Sequence, residues 1–296
     1  VRVTSQGPAG AGPDVGESTG GVKEAPLRLG GMALGNGLLL QTKTHWVAAI
    51  RTEDGSVEVA SGAKSPLFAP GGLFEGAPLV RGTSRLVDAL LVLVQVKRRL
   101  KGAVLPVELP EAMSSVAAAT VAVSLIRRFG GAGRSLGALL VQETAVALFS
   151  AAPAVVALRG TKLARYHGAE HKSIGAYENK ARGRTGSQAA KEHDRCGSNL
   201  VGPLLVANVL GSVVVRRLFR EPPPGAFFLT GVASLGVAME AFRYMSAHPE
   251  RPAAKAMLLP GRALQRFFTT EEPDEAELEV GRAALDELLR LEGAIS

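Results

Sequence analysis

Four apolar segments, at roughly 112–126, 136–158, 200–215 and 226–242, constrain this chain more than any other feature. A helix needs about 20 apolar residues to cross the hydrocarbon core of a bilayer. The second segment exceeds that length, and the others sit at or below it, so a soluble helical bundle is the competing architecture. Small residues inside the segments (Ala117, Ala118, Ala119, Gly202, Gly211, Gly236) suit close helix packing in lipid. The net charge of +7 raises nucleic acid as a partner. The distribution of that charge argues against it. Lys97-Arg98-Arg99, Arg127-Arg128 and Arg216-Arg217 sit at the edges of apolar runs, with no basic stripe interleaved with aromatics. That pattern flanks membranes, so membrane lipid is the expected partner and nucleic acid is not.

The expected fold class is mainly α: a multi-pass helical membrane protein with a small N-terminal β-hairpin region and a C-terminal amphipathic helix. Residues 1–27 are rich in Gly, Pro and Ser and read as a disordered tail. Residues 28–64 form a small β-rich region, because Asp54-Gly55 is a hairpin turn signal between two extended runs. The glycine-rich 30–37 stretch ahead of them reads as a tight packing corner, since no P-loop Lys follows it. Residues 78–101 read as a helix too short in its apolar part to span, hence interfacial or re-entrant. The membrane helix pairs follow at 112–158 and 200–242, with a polar loop at 159–199 between them and a C-terminal region at 243–296. Within that last region, an apolar face of Leu278, Leu285, Leu288 and Leu289 predicts a helix from about Glu275 to Leu291, begun by Thr269-Thr270-Glu271-Glu272-Pro273. It would dock on the protein's own cytoplasmic surface or bind a protein partner. Lys and Arg are densest in the 159–199 loop, which predicts a cell-membrane protein with that loop and both termini cytoplasmic.

The loop also holds three of the five histidines and the single cysteine. His167-Gly-Ala-Glu170-His171 has the order H-x-x-E-H, and His193-Asp-Arg-Cys196 follows. On a helix, residues three and four apart share a face, so His167, Glu170 and His171 can point at one place. Two imidazoles and a carboxylate suit a divalent metal, zinc above all, with the carboxylate as base. The expected metal ligands are His167, His171, His193 and Cys196, and the expected catalytic base is Glu170. Three protein ligands would leave a catalytic site open, whereas four would close it into a structural one. The two functional expectations are therefore a membrane-embedded metal-dependent hydrolase and a metal-stapled scaffold or assembly factor. A small transporter using the intramembrane carboxylates Glu143 and Glu240 is a third, disfavoured by the absence of an internal repeat. Either carboxylate could also complete a metal shell from the membrane side.

Arg165-Tyr-His-Gly-Ala-Glu-His-Lys172, His193-Asp-Arg-Cys-Gly-Ser198 and Pro260-Gly-Arg-Ala-Leu-Gln-Arg-Phe-Phe-Thr-Thr-Glu-Glu-Pro273 together resemble the DUF1385 family. Pro78-Leu-Val-Arg-Gly82 and the 30–41 stretch do so too. The resemblance implies a multi-pass membrane protein, often labelled metal-dependent, with no assigned reaction. It supports His167, Glu170, His171, His193 and Cys196 as the polar centre, and matches Glu240 to a family glutamate in the last membrane helix. Two departures stand out: Asn36 replaces a usual glutamate, and Asp88 stands where glutamate is common. If position 36 serves the metal or the chemistry, Asn36 would mark an inactive paralogue.

Overall fold

The computed structural model describes residues 2–4, 27–64, 80–129, 135–181 and 189–294. Most of the glycine-rich tail, the start of the 78–101 segment, Arg134 and loop residues 182–188 lie outside the described residues. Five strands run β1 (Arg2–Thr4), β2 (Gly30–Leu34), β3 (Gly37–Gln41), β4 (His45–Arg51) and β5 (Val57–Ala63). Among the described residues eight α-helices follow: α1 (Val80–Arg99), α2 (Pro110–Phe129), α3 (Leu136–Leu158), α4 (Lys162–Ala181), α5 (Val201–Leu218), α6 (Ala226–Ala247), α7 (Pro252–Leu264) and α8 (Glu275–Leu291). The fold is mainly helical, with a small N-terminal sheet.

The sheet has the order β1-β5-β4-β3-β2, antiparallel except that β1 lies parallel on β5. Part of the expected tail is thus a strand. The 30–37 stretch is β2 and its turn into β3. It packs as tightly as expected: a Cβ on Gly31 or Gly35 would meet a neighbour at 2.5 or 2.7 Å, and one on Gly37 would collide with the Ala49 carbonyl. The apolar residues of the hairpin serve two faces at once. Leu38, Leu40, Val47, Ala49 and Val59 pack with α4 and α8. Leu34, Leu39, Trp46, Ala48 and Ile50 pack with Val92, Val96 and Leu100 at and just beyond the end of α1. A strand covered on both faces needs a continuous apolar run, which Leu38-Leu39-Leu40 supplies. The Asp54-Gly55 signal makes the expected β4–β5 turn, with Gly55 at φ +83°. Helix α1 turns Val87, Leu90, Leu91 and Val94 away from the sheet, leaving an exposed apolar strip suited to an interface.

Asn36 sits at the β2–β3 turn. Its Nδ2 donates to Arg51 O (3.1 Å) and Gly102 O (3.0 Å), and its Oδ1 accepts from Val104 N (2.9 Å). A glutamate could not make the two donations. Asp88 is buried against Lys64 Nζ at 2.5 Å, tying α1 to the end of β5.

Helices α2, α3, α5 and α6 are long and apolar enough to cross a membrane, with only 6–28% of each apolar window buried inside the protein. Apolar faces that open need lipid rather than water. The chain runs away from the sheet along α2, returns along α3 into α4, runs away again along α5 and returns along α6 into α7. The sheet, α4, α7 and α8 therefore share one end of the bundle. At the other end, buried Glu143 on α3 lies 2.5 Å from Arg216 of α5 and 3.7 Å from Arg127 of α2. Both guanidiniums also lie over the Phe227 ring, 4.7 Å for Arg127 and 5.6 Å for Arg216. Glu143 thus has the charged partners an intramembrane carboxylate requires. Glu240 lies 3.8 Å from Arg243, one turn along α6.

Helix α8 occupies the expected residues, but its start differs. Asp274 is the cap: its side chain accepts from Ala276 N and Glu277 N, and Glu277 returns the bond to Asp274 N. This capping box satisfies the orphan amides, so Pro273 precedes the helix instead of opening it. Val280, Ala284 and Leu288 are buried against the sheet and α4. The apolar face of α8 thus packs within the chain.

Candidate metal centre

Helix α4 carries the H-x-x-E-H residues on one face, as the spacing requires. Three close approaches seat it, and each uses a glycine. A Cβ on Gly168 would collide with the Glu271 carbonyl, and one on Gly281 of α8 with Ser173 Oγ. A Cβ on Gly31 of β2 would lie 2.5 Å from Glu170 Oε1 and 2.7 Å from Glu170 Cδ and Cγ. The 269–272 segment lies along α4, with Glu271 N bonded to Ala164 O at 2.9 Å and Glu272 paired to Lys172.

The 193–199 segment returns to α4 because α7 and its wider final turn (Gln265–Thr269) hold it. Fully buried Gln265 accepts His193 N at 2.7 Å, and Arg262 grips Asp194 through two bonds of 2.8 Å. Asn199 donates to Asp194 O at 2.8 Å and packs so tightly on Gly261 that no side chain fits there.

One ligand atom each from His167, His171 and Cys196 gathers within 4.8 Å of the others. His167 Nε2 is 3.2 Å from Cys196 Sγ, and the two imidazole centroids are 4.5 Å apart. Both rings are oriented through their other nitrogen. His167 Nδ1 bonds Thr269 O at 2.8 Å, and His171 Nδ1 bonds Lys191 O. A carbonyl accepts only, so each Nδ1 carries the proton and each Nε2 keeps its lone pair. His171 Nε2 is buried with no hydrogen-bond partner among the described residues. Two backbone-oriented Nε2 atoms beside a thiol match what a divalent metal of the zinc type takes.

Glu170 Oε2 lies 4.0 Å from His167 Nε2. Burial lifts its carboxyl to about 8, with the neighbouring His167 acting in the opposite sense. Burial likewise depresses His171 to about 3, so its ring is neutral and fit to ligate, and pushes the Cys196 thiol up. His193 stands differently. Its Nε2 faces Glu178 Oε2 at 3.5 Å, its Nδ1 accepts Arg195 N at 3.3 Å, and its ring centroid is 5.8 Å from that of His171. It borders the same space without joining the gathered donors.

That space is a cavity of about 410 Å³, within the range of small-ligand pockets. Its floor is His167, Glu170, His171 and Cys196. One wall is β2, and the far wall is the membrane-side ends of α3 and α5 through Ala154, Val155, Leu158 and Val201. A smaller cleft of about 120 Å³ between α2 and α3 shares Pro106, Ala154, Leu158 and Leu163 with it. Asn36, Glu143 and Glu240 do not line the cavity. The carbonyls of Thr269 and Lys191, which orient the rings, escape sequence reasoning because a backbone oxygen has no residue signature. Thr269 does sit inside the 260–273 motif that carries the family resemblance, and it opens the 269–273 helix-start signal.

Fold and cluster define the class: a multi-pass helical protein with a small sheet and a buried His/Cys centre at one end of its bundle. A family described as "Protein of unknown function (DUF1385)" matches residues 77–291, and the chain belongs to that family. The chain is similar to the "Uncharacterized protein YqhQ" of Bacillus subtilis (strain 168), 31% identical over 134 residues. That stretch covers 43% of this chain and 41% of the relative's length. No solved structure matches significantly.

Proposed function

We propose that this protein is a membrane-embedded, metal-dependent hydrolase of the zinc type, whose centre faces the cytoplasm at the cell membrane. The carrying observation is the count of donors among the described residues: His167, His171 and Cys196 converge, whereas His193 faces Glu178. Three protein donors leave a coordination position open, and open zinc sites are the catalytic ones. The adjoining 410 Å³ cavity supports the same reading, because a structural site needs no room for a substrate. A zinc-type ion supplies Lewis acidity and a more acidic water at such a position. Glu170 is the base. A cation beside it would favour the carboxylate form that its burial otherwise disfavours. The β2 wall and the membrane-side ends of α3 and α5 shield the centre from bulk water.

Metal analysis of the purified full chain tests the reading. About one zinc per chain is expected, lost in His167→Ala, His171→Ala and Cys196→Ala and kept in Glu170→Gln, which should be inactive. Metal loss in Glu170→Gln would make Glu170 a ligand. Loss in His193→Ala, with catalysis absent throughout, would favour a closed, structural site.

A further inference from the structure

The cavity wall formed by β2 has a property that narrows the substrate. Gly30, Gly31, Met32 and Ala33 all line the cavity, although successive strand residues point to opposite faces. A cavity lying on one face would meet every second residue. Contact with four in a row means that the space runs along the strand's edge, where backbone groups are presented.

Among the described residues the edge is free: strand β2 ends the sheet and pairs there only with β3. The phase of its ladder follows from the register. Asn36 O accepts Arg51 N at 2.8 Å, so residues 36, 38 and 40 bond toward β4, leaving 37, 39 and 41 to bond β2. Their partners are Leu34, Met32 and Gly30. Gly31 and Ala33 therefore aim their N–H and C=O groups outward, and no other described residue bonds them. An unsatisfied strand edge is a template for another strand. Gly31 also lies directly on Glu170, so whatever pairs there passes the His167, His171 and Cys196 donors.

Resting on the hydrolase reading above, we propose that the substrate is an extended polypeptide segment that adds to β2 as a further strand, and that the bond cleaved is a peptide bond. Water's oxygen bonds the carbonyl carbon, the C–N electron pair leaves with nitrogen, and Glu170 passes a water proton to that nitrogen. The products are a carboxylate and an amine. Cavity walls from α3 and α5 favour a segment adjoining a membrane helix.

The test uses zinc-loaded full chain in detergent and a library of random twelve-residue peptides, with 4-nitrophenyl laurate as an amphiphilic ester probe. Mass spectrometry should find peptides with new amino termini. In Glu170→Gln, peptides should stay uncut and slow amide hydrogen exchange in residues 29–34 at least fivefold. Ala33→Pro removes one outward N–H without breaking the β2–β3 ladder, so it should abolish that protection while keeping the zinc content. Ester hydrolysis with neither peptide cleavage nor protection would overturn the polypeptide inference and leave the hydrolase reading standing. Protection without hydrolysis of either probe would uphold strand docking and sink the hydrolase. Neither protection nor any hydrolysis would sink both.

Discussion

Replacing Gly31 with alanine probes the contact that binds the sheet to the centre. The new Cβ would sit 2.5 Å from Glu170 Oε1 and 2.7 Å from two further atoms of that side chain. Carbon contacts below about 3 Å are not tolerated, and the optimum is nearer 3.5–4.0 Å. Glu170 is buried and β2 is fixed by its ladder, so neither can retreat freely. Gly31→Ala should therefore cost about 2–3 kcal/mol, the upper part of the overpacking range. That is roughly a 30- to 150-fold shift in the folding equilibrium. In a Glu170→Ala background the colliding atoms are gone, and the same change should cost under about 0.5 kcal/mol. A double-mutant cycle by chemical denaturation in mixed micelles measures the difference, with a coupling of about 2 kcal/mol expected. Equal costs in both backgrounds would refute the packing of β2 on Glu170.

The metal-free protein should show a plateau in stability against pH. His171, depressed to about 3 from 6.5, leaves the unfolded chain holding the extra proton between those values, so stability rises with pH there. Glu170, lifted from 4.5 to about 8, reverses the sign, since the folded chain then holds the extra proton. Stability should rise to about pH 4.5, level off to about 6.5 and fall to about 8; Glu170→Gln should remove the final fall in a pH series of unfolding curves. Glu143→Gln should destabilise by about 3 kcal/mol, because it strips the carboxylate from Arg127 and Arg216; a melting temperature unchanged in detergent would contradict this. Asn36→Asp should cost about 1–3 kcal/mol through the lost donations to Arg51 O and Gly102 O. Its zinc content should equal that of the unaltered chain, since Asn36 lies outside the cavity.

The four membrane helices were legible because apolar length and small-residue content announce them directly, and helix α8 fell on its expected residues because Leu278, Leu285, Leu288 and Leu289 recur at helical spacing. The H-x-x-E-H face was legible from helical spacing alone. What spacing could not reveal is the choice between His193 and its neighbours as donors. That choice depends on Glu178, Arg195 and Gln265, which lie apart in sequence and meet only through the packing of α7. The 30–37 glycines were legible only in part, for a related reason. Their close approach was anticipated, but the partner surface, Glu170, is some 140 residues away. Two of the arginines at the edges of the apolar runs also have a structural cause. Arg127 and Arg216 answer Glu143 across three helices, so they report packing as well as topology.

A metal held by two imidazoles and one thiolate, with a position left open, is tested most directly by X-ray absorption at the zinc edge on the purified full chain. One sulfur is expected at about 2.3 Å and three nitrogen or oxygen scatterers at about 2.0–2.1 Å, two of them with the outer-shell signature of imidazole. The sulfur should vanish in Cys196→Ser. A shell without sulfur, a third imidazole from His193, or a chain that binds no metal stoichiometrically would contradict it.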